Sequence, residues 1–212
     1  MPVFDTWWKI AILIGSLGLV RLGFHYARWM RDSARKGAIE FLDSALLALA
    51  LVFFLLRPFV LQAYFIPSDS MLPTLHQGDR ILVLKFPYRF RDPKRQEIVV
   101  FRAPPKASNG AKKDFIKRVI GLGGEQIAVH RDKATGETAV FINGKPLREK
   151  YLFEPMGYDY QPRKIPRGML FVMGDNRNDS NDSHHWGYLP RRNLEGKAVL
   201  RFWPPGRISL IH

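Results

Sequence analysis

From Arg80 onward no helical period of apolar residues lasts more than a turn or two, and this limits the fold more than any other feature. Apolar residues come in short runs, each closed by Gly, Pro or Asn. Arg80–Phe86 follows Gly78-Asp79, and Glu97–Arg102 stops before Pro104-Pro105. Lys113–Gly121 and Glu125–His130 flank the Gly-Leu-Gly-Gly at 121–124. Thr138–Ile142 runs into Asn143-Gly144, a tight-turn signal, and Leu170–Met173 and Ala198–Trp203 complete the set. Many short strands with such punctuation imply a mostly-β domain, a barrel or folded sheet. Lys106–Lys113 reads as an exposed hairpin loop, and the polar, turn-rich stretch at about 131–167 as a small insertion.

The first third is different. One apolar segment covers about 7–24, with Lys9 and Arg21 near its ends and Trp7-Trp8 suited to a headgroup boundary. A second covers about 41–61, and its stretch Ala45–Leu56 is apolar all round, unlike a soluble amphipathic helix. Both are expected to be transmembrane helices, with residues 1–63 as a membrane anchor. The loop 25–40 carries Arg28, Arg31, Arg35 and Lys36, which marks it as cytoplasmic. Residues 64–212 then form an extracytoplasmic domain, and the protein is multi-pass. The basic cluster follows the first apolar run instead of leading it, which argues against a cleavable signal.

Net charge is +14, and residues 64–212 alone hold 26 basic against 15 acidic side chains. With the excess facing away from the cytoplasm, and no finger, helix-turn-helix or aromatic RNA-binding motif, the anionic partner is membrane lipid and not nucleic acid. Cysteine is absent, which excludes disulfides and thiolate metal sites.

Three stretches could carry chemistry. In Phe65–Leu75, Pro67 and Pro73 stiffen a bent peptide that presents Ser68 and Ser70. A serine nucleophile needs a base. His184-His185 beside Asp182 is the only histidine pair, but no Gly-x-Ser-x-Gly elbow accompanies it. Lysine can serve if burial lowers its pKa. In Asp114–Gly121, two-residue alternation puts Lys117 on one face with Phe115 and Val119, and Arg118 on the other with Ile116 and Ile120. The third stretch, Gly174–Gly187, is dense in Asp, Asn and Ser. It lacks the central Gly and closing Glu of a calcium loop, and reads as an ordered loop that positions a catalytic group.

Together these blocks resemble the type I signal peptidases, membrane-bound serine proteases with a Ser-Lys dyad. The resemblance runs from Tyr64 to about Trp203. Its blocks fall in family order: Pro67–Leu75, Gly78-Asp79, Ile98–Phe101, Lys117–Gly121, then Gly174–Arg177 with Ser180, Asp182 and Ser183. It implies a folded β-sheet or barrel catalytic domain behind two transmembrane helices. It further implies Ser70 as nucleophile, Lys117 as general base, and Ser68 with the Ser70 N–H as oxyanion hole. Ser180, Asp182 and Arg118 are implied as supporting residues. Tyr64, Ile66, Met71, Leu75, Phe115 and Ile116 would line pockets for small side chains. The implied reaction is cleavage of N-terminal signal peptides after Ala-x-Ala at the outer face of the cytoplasmic membrane, by a monomer without cofactor or metal. Asp69 stands where many members have glycine, and His184 where many have arginine. Two other readings remain: a self-cleaving Ser-Lys protein related to stress-response repressors, and a membrane-anchored basic module that binds lipid or a partner without catalysis.

Overall fold

The structure is a computed structural model that describes residues 7–26, 32–52 and 60–211, with side chains from residue 12 onward in the first helix. The chain divides into two compact units, residues 2–62 and 63–212.

The first unit holds two helices, α1 (Trp7–Tyr26) and α2 (Asp32–Ala50). They pack on each other, and Arg21 Nε donates to Asp43 Oδ1 at 2.5 Å. The expected boundaries shift. Helix α2 begins at Asp32, inside the stretch read as a loop over 25–40. Asp32 in the first turn favours the helix start, and Arg35 one turn on pairs with it at 3.0 Å. Leu61, expected at the end of the second span, already belongs to a strand. Among the described residues no helix is long and apolar enough to cross a membrane. The expected second span runs through 53–59, and the first through the side chains of 7–11, both outside the described residues.

The second unit is mostly β. Its strands are β1 (Leu61–Phe65), β2 (Arg80–Leu84), β3 (Ile98–Arg102), β4 (Asp114–Gly121), β5 (Gln126–Arg131) and β6 (Thr138–Ile142). They continue with β7 (Lys145–Pro146), β8 (Tyr160–Lys164), β9 (Met169–Met173), β10 (Leu189–Pro190), β11 (Leu194–Trp203) and β12 (Ser209–Leu210). The larger sheet runs β1-β2-β11-β3-β4-β9-β10, with β12 also on β11. The ten-residue β11 is its long central strand, antiparallel to β2 and β3 and bulged on both sides. Gly196 is needed there, because a Cβ would fall 2.3 Å from Leu84 O.

A four-stranded sheet, β7-β6-β5-β8, spans 126–164. Asn143 and Gly144 make its tight turn at φ 52° and 77°. The stretch 131–167, read as a polar insertion, is thus tied into a packed layer. Ile127, Val129, Val140 and Ile142 on its inner face join Ile120, Phe171 and Met173 from the larger sheet in one core cluster. Strand β8 escaped the sequence pattern because it is polar and contains Pro162, which an edge strand tolerates. The 106–113 stretch is, as expected, a largely exposed connection of a hairpin, between antiparallel β3 and β4, but it holds more order than a simple loop. Pro105–Ser108 forms one helical turn with Pro at its start, Ala107 and Ser108 are buried, and Asn109 closes the turn at φ 50°.

Candidate active site

Between β1 and β2 the chain makes an excursion over 66–79 whose base is closed by backbone hydrogen bonds, Ile66 N–H to Asp79 O and Gly78 N–H to Ile66 O, both 2.9 Å. Asp79 is buried beneath it and accepts from His76 N–H (2.9 Å) and from Arg207 (2.7 Å). The two prolines keep the segment out of a regular helix, and turns carry Ser70 inward. Ser70 is 8% exposed, while Ser68 lies at the surface with its Oγ 3.5 Å from Ser70 Oγ. Asp69 turns away, and its Oδ1 accepts from Gln77 N–H at 3.1 Å.

Strand β4 lies between β3 and β9, and Lys117 sits opposite Val99 of β3. Lys117 is 5% exposed, and its Nζ donates to Ser70 Oγ at 2.6 Å. Burial pushes its pKa down from 10.5 to about 8, and Asp182, Asp175 and Asp179 only partly oppose that. A hydroxyl facing an amine that gives up its proton near neutrality can be activated as a nucleophile.

Arg118, next on the strand, is buried on the other side. Its Nε and a terminal nitrogen reach the two carboxylate oxygens of Asp175 at 2.8 and 2.7 Å, and its other terminal nitrogen donates to Gln96 O at 2.8 Å. Thr74 Oγ1 donates to Asp175 Oδ2 at 2.5 Å. Arg118 thus locks the 174–182 loop and the serine segment to the sheet.

That loop leaves β9 at Gly174 and is ordered by its own polar groups, as the sequence suggests. Asp182 is fully buried; its Oδ2 accepts from Gly174 N–H at 2.9 Å and its Oδ1 lies 2.8 Å from His184 Nδ1. Burial alone would raise the Asp182 pKa, but His184, the Ser180 hydroxyl and the Gly174 N–H outweigh it and hold the carboxyl below its ordinary value. Ser180 Oγ is buried and, among the described residues, makes no hydrogen bond of good geometry. His184 also stacks on Tyr158, with ring centres 4.3 Å apart.

Tyr64, Ile66, Met71 and Leu75 are buried together in one core cluster, with half-buried Ile116 packed against it. Phe115 belongs to another cluster, with Phe101 and Val119, and its ring lies 5.9 Å from Lys117 Nζ. Met71 and Leu75 have no exposed surface and are part of the core.

Four residues outside the expected site complete it. Thr74 and Asp175 make the Arg118 lock. Asn176 N–H donates to Ser70 O at 3.2 Å. At Gly174 a Cβ would fall 2.4 Å from Ser70 O and 2.3 Å from Ser180 Oγ, so only glycine lets the loop lie against the serine. Asp175 had a sequence signal in the Gly174–Arg177 block, while its partner follows only from the pairing of β9 with β4, which carries Arg118. Gly174 opens that same block, but the reason it must be glycine is tertiary, because the atoms pressed against it come from distant parts of the chain. Among the described residues no group of His, Asp or Glu is arranged to hold a metal ion.

Fold and site define a class: a mostly-β protein that sets a serine hydroxyl against a buried lysine amine. Comparison with known proteins is specific. The family described as "Signal peptidase, peptidase S26" matches residues 38–203. Signal peptidase I of Leptolyngbya laminosa is 48% identical over 157 residues, 73% of this chain and 74% of that protein. Probable signal peptidase I-2 of Synechocystis sp. is 47% identical over 158 residues, 74% and 69% of the two chains. Signal peptidase I of Mycobacterium tuberculosis is 33% identical over 234 residues, 85% and 78%. The chain belongs to the signal peptidase family, peptidase S26.

Proposed function

We propose that this chain is a membrane-bound serine endopeptidase that removes N-terminal signal peptides from secreted precursors after small residues, in the pattern Ala-x-Ala. The observation that carries the reading is the 2.6 Å contact between Lys117 Nζ and Ser70 Oγ in a buried setting. Family membership and the relatives named signal peptidase I support the substrate class.

Neutral Lys117 accepts the Ser70 proton as Oγ attacks the scissile carbonyl. The oxyanion that develops is held by the Ser68 hydroxyl and the Ser70 N–H; a donor of this kind is worth about 2.7–4 kcal/mol. Protonated Lys117 then passes the proton to the leaving amine. Water hydrolyses the acyl-enzyme and releases the signal peptide. Asp182, Ser180 and Arg118 keep lysine and loop in place. The substrate lies extended beside the chain around Ile66 and Phe115, adding main-chain hydrogen bonds. Shallow pockets over Tyr64, Ile66, Met71, Leu75, Phe115 and Ile116 admit only small side chains. The anchor at 1–63 spans the cytoplasmic membrane twice and holds the 64–212 catalytic domain on the extracytoplasmic face, against lipid. Anchorage raises effective concentration, because the substrate signal lies in the same bilayer. No cofactor takes part, and the enzyme acts as a monomer.

Ser70→Ala and Lys117→Met in the full chain are each expected to abolish cleavage of a secretory precursor while the protein stays folded. Cleavage retained by either variant refutes the assignment.

A further inference from the structure

One buried ion pair has no part in the reaction as proposed. The Arg177 side chain has no exposed surface, and the Glu149 side chain paired with it is 3% exposed. Burial opposes the Arg177 charge, and Glu149 outweighs that and keeps the guanidinium protonated. Buried ion pairs often do no better for stability than apolar residues of the same volume, so a fixed pair is better explained by what it holds in place.

Arg177 holds the start of the loop beside Ser70. Its Nε donates to Gly174 O at 2.9 Å, one terminal nitrogen lies 3.2 Å from Met156 Sδ, and the other meets Glu149 Oε1. Gly174 is the tightest point of the site: its N–H binds Asp182, and its Cα has no room for a methyl against Ser70 O. Two residues on, Asn176 N–H donates to Ser70 O. The peptide that Arg177 grips is therefore flanked by one N–H that donates to Asp182 and another that donates to Ser70 O.

Glu149 comes from the segment between β7 and β8. It accepts from Tyr151 Oη at 2.7 Å, and the Tyr151 ring lies 3.8 Å from the Arg118 guanidinium. The same segment follows the loop further: Phe153 N–H donates to Asp175 O at 3.3 Å, and Gly157 N–H to Asn178 Oδ1 at 2.8 Å.

We propose that Glu149 is a positioning residue for the Ser70 site, fixing Arg177 so that the Gly174–Asn176 peptide keeps Ser70 and Asp182 in register with Lys117. The inference rests on the Ser70–Lys117 reading above. Glu149 touches no reacting atom, and its effect passes through one side chain and one peptide. The smaller sheet thereby becomes part of the catalytic frame. Misplacement of about 1 Å at such a site costs roughly 10²-fold in rate.

The test uses the full chain in detergent micelles, with a signal-peptide substrate and an acylating peptide probe that counts competent serines. Glu149→Gln is expected to lower kcat per titrated site by about 10- to 100-fold, with KM within about threefold because the substrate cleft is untouched. Glu149→Asp, which keeps the charge, recovers part of the rate. A purely structural role would lower the number of titrated sites and leave kcat per site unchanged, and that result overturns the proposal. A loss confined to KM also overturns it. Should Glu149→Gln fail to fold, Tyr151→Phe carries the test, since it keeps the ring over Arg118 and removes only the hydroxyl that binds Glu149. Its kcat per site is expected to fall about 2- to 5-fold, as for one lost hydrogen bond, and an unchanged value overturns the proposal. A wild-type chain that neither cleaves nor acylates refutes the Ser70 reading and this inference with it. An active wild type with an equally active Glu149→Gln refutes this inference alone.

Discussion

Replacing Lys117 by Met is expected to destroy activity and raise stability, with the gain depending on pH. Burial lowers the Lys117 pKa from 10.5 to about 8, so the folded state binds its proton less tightly than the unfolded chain does. Between about pH 8 and 10.5 the unfolded state holds more protons, and stability rises with pH across that window. Below pH 8 the penalty of a charged amine in a dry site is fully present. At about 1.4 kcal/mol per pH unit, the fall from 10.5 to about 8 costs about 3 kcal/mol at pH 7. Met removes that cost and forfeits the hydrogen bond to Ser70 Oγ, worth about 1 kcal/mol, leaving a net gain of about 2 kcal/mol. For a chain of this size each kcal/mol moves Tm by roughly 2–4 °C, so the variant should melt about 4–8 °C higher at pH 7. The assay is thermal unfolding of both full chains in detergent between pH 7 and 10.5, followed by near-ultraviolet circular dichroism. The gain should shrink steadily above pH 8, vanish just below about pH 10, and turn into a loss of about 1 kcal/mol by about 10.5, where only the forfeited hydrogen bond remains. A variant that melts at or below the wild type at pH 7, or a gain that does not change with pH, refutes the argument. The same pKa requires wild-type cleavage to rise with pH up to about 8, falling about tenfold per unit below it.

Gly174→Ala places a methyl 2.4 Å from Ser70 O, so the loop or the serine must move, and kcat is expected to drop by roughly 10²-fold. Cleavage within threefold of wild type would show that the close approach is dispensable. Asp175→Asn leaves the buried Arg118 without its carboxylate and should cost about 3–5 kcal/mol in denaturant unfolding. A loss below 1 kcal/mol would mean that Gln96 O and Thr74 suffice to hold the guanidinium.

How far the sequence reaches depends on how local each cause is. Most strands were legible because alternation and turn residues act within a few positions. The runs at 80–86, 97–102 and 113–121 correspond to β2, β3 and β4 to within two residues at each end. Strand β8 was not, since its polar residues and Pro162 are acceptable only because it pairs at an edge with β5. The hairpin connection between β3 and β4 is legible, but its helical turn with buried Ala107 and Ser108 is not, because their burial depends on what covers them. Helix α2 begins earlier than the apolar pattern indicates, because helix starts are set by polar contacts such as Asp32 with Arg35.

The sequence by itself determined the mostly-β character of residues beyond 80 and, through ordered motif blocks, the family and the candidate pair Ser70 and Lys117. Only the tertiary structure decided that the two meet. They stand 47 positions apart, and the 2.6 Å contact follows from a serine segment closed at its base and a β4 register that buries Lys117. Burial, and with it the lowered lysine pKa, belongs to surroundings assembled from several distant segments. The same holds for Gly174 and Glu149. Their importance lies in what presses against them, and no local pattern of residues records that.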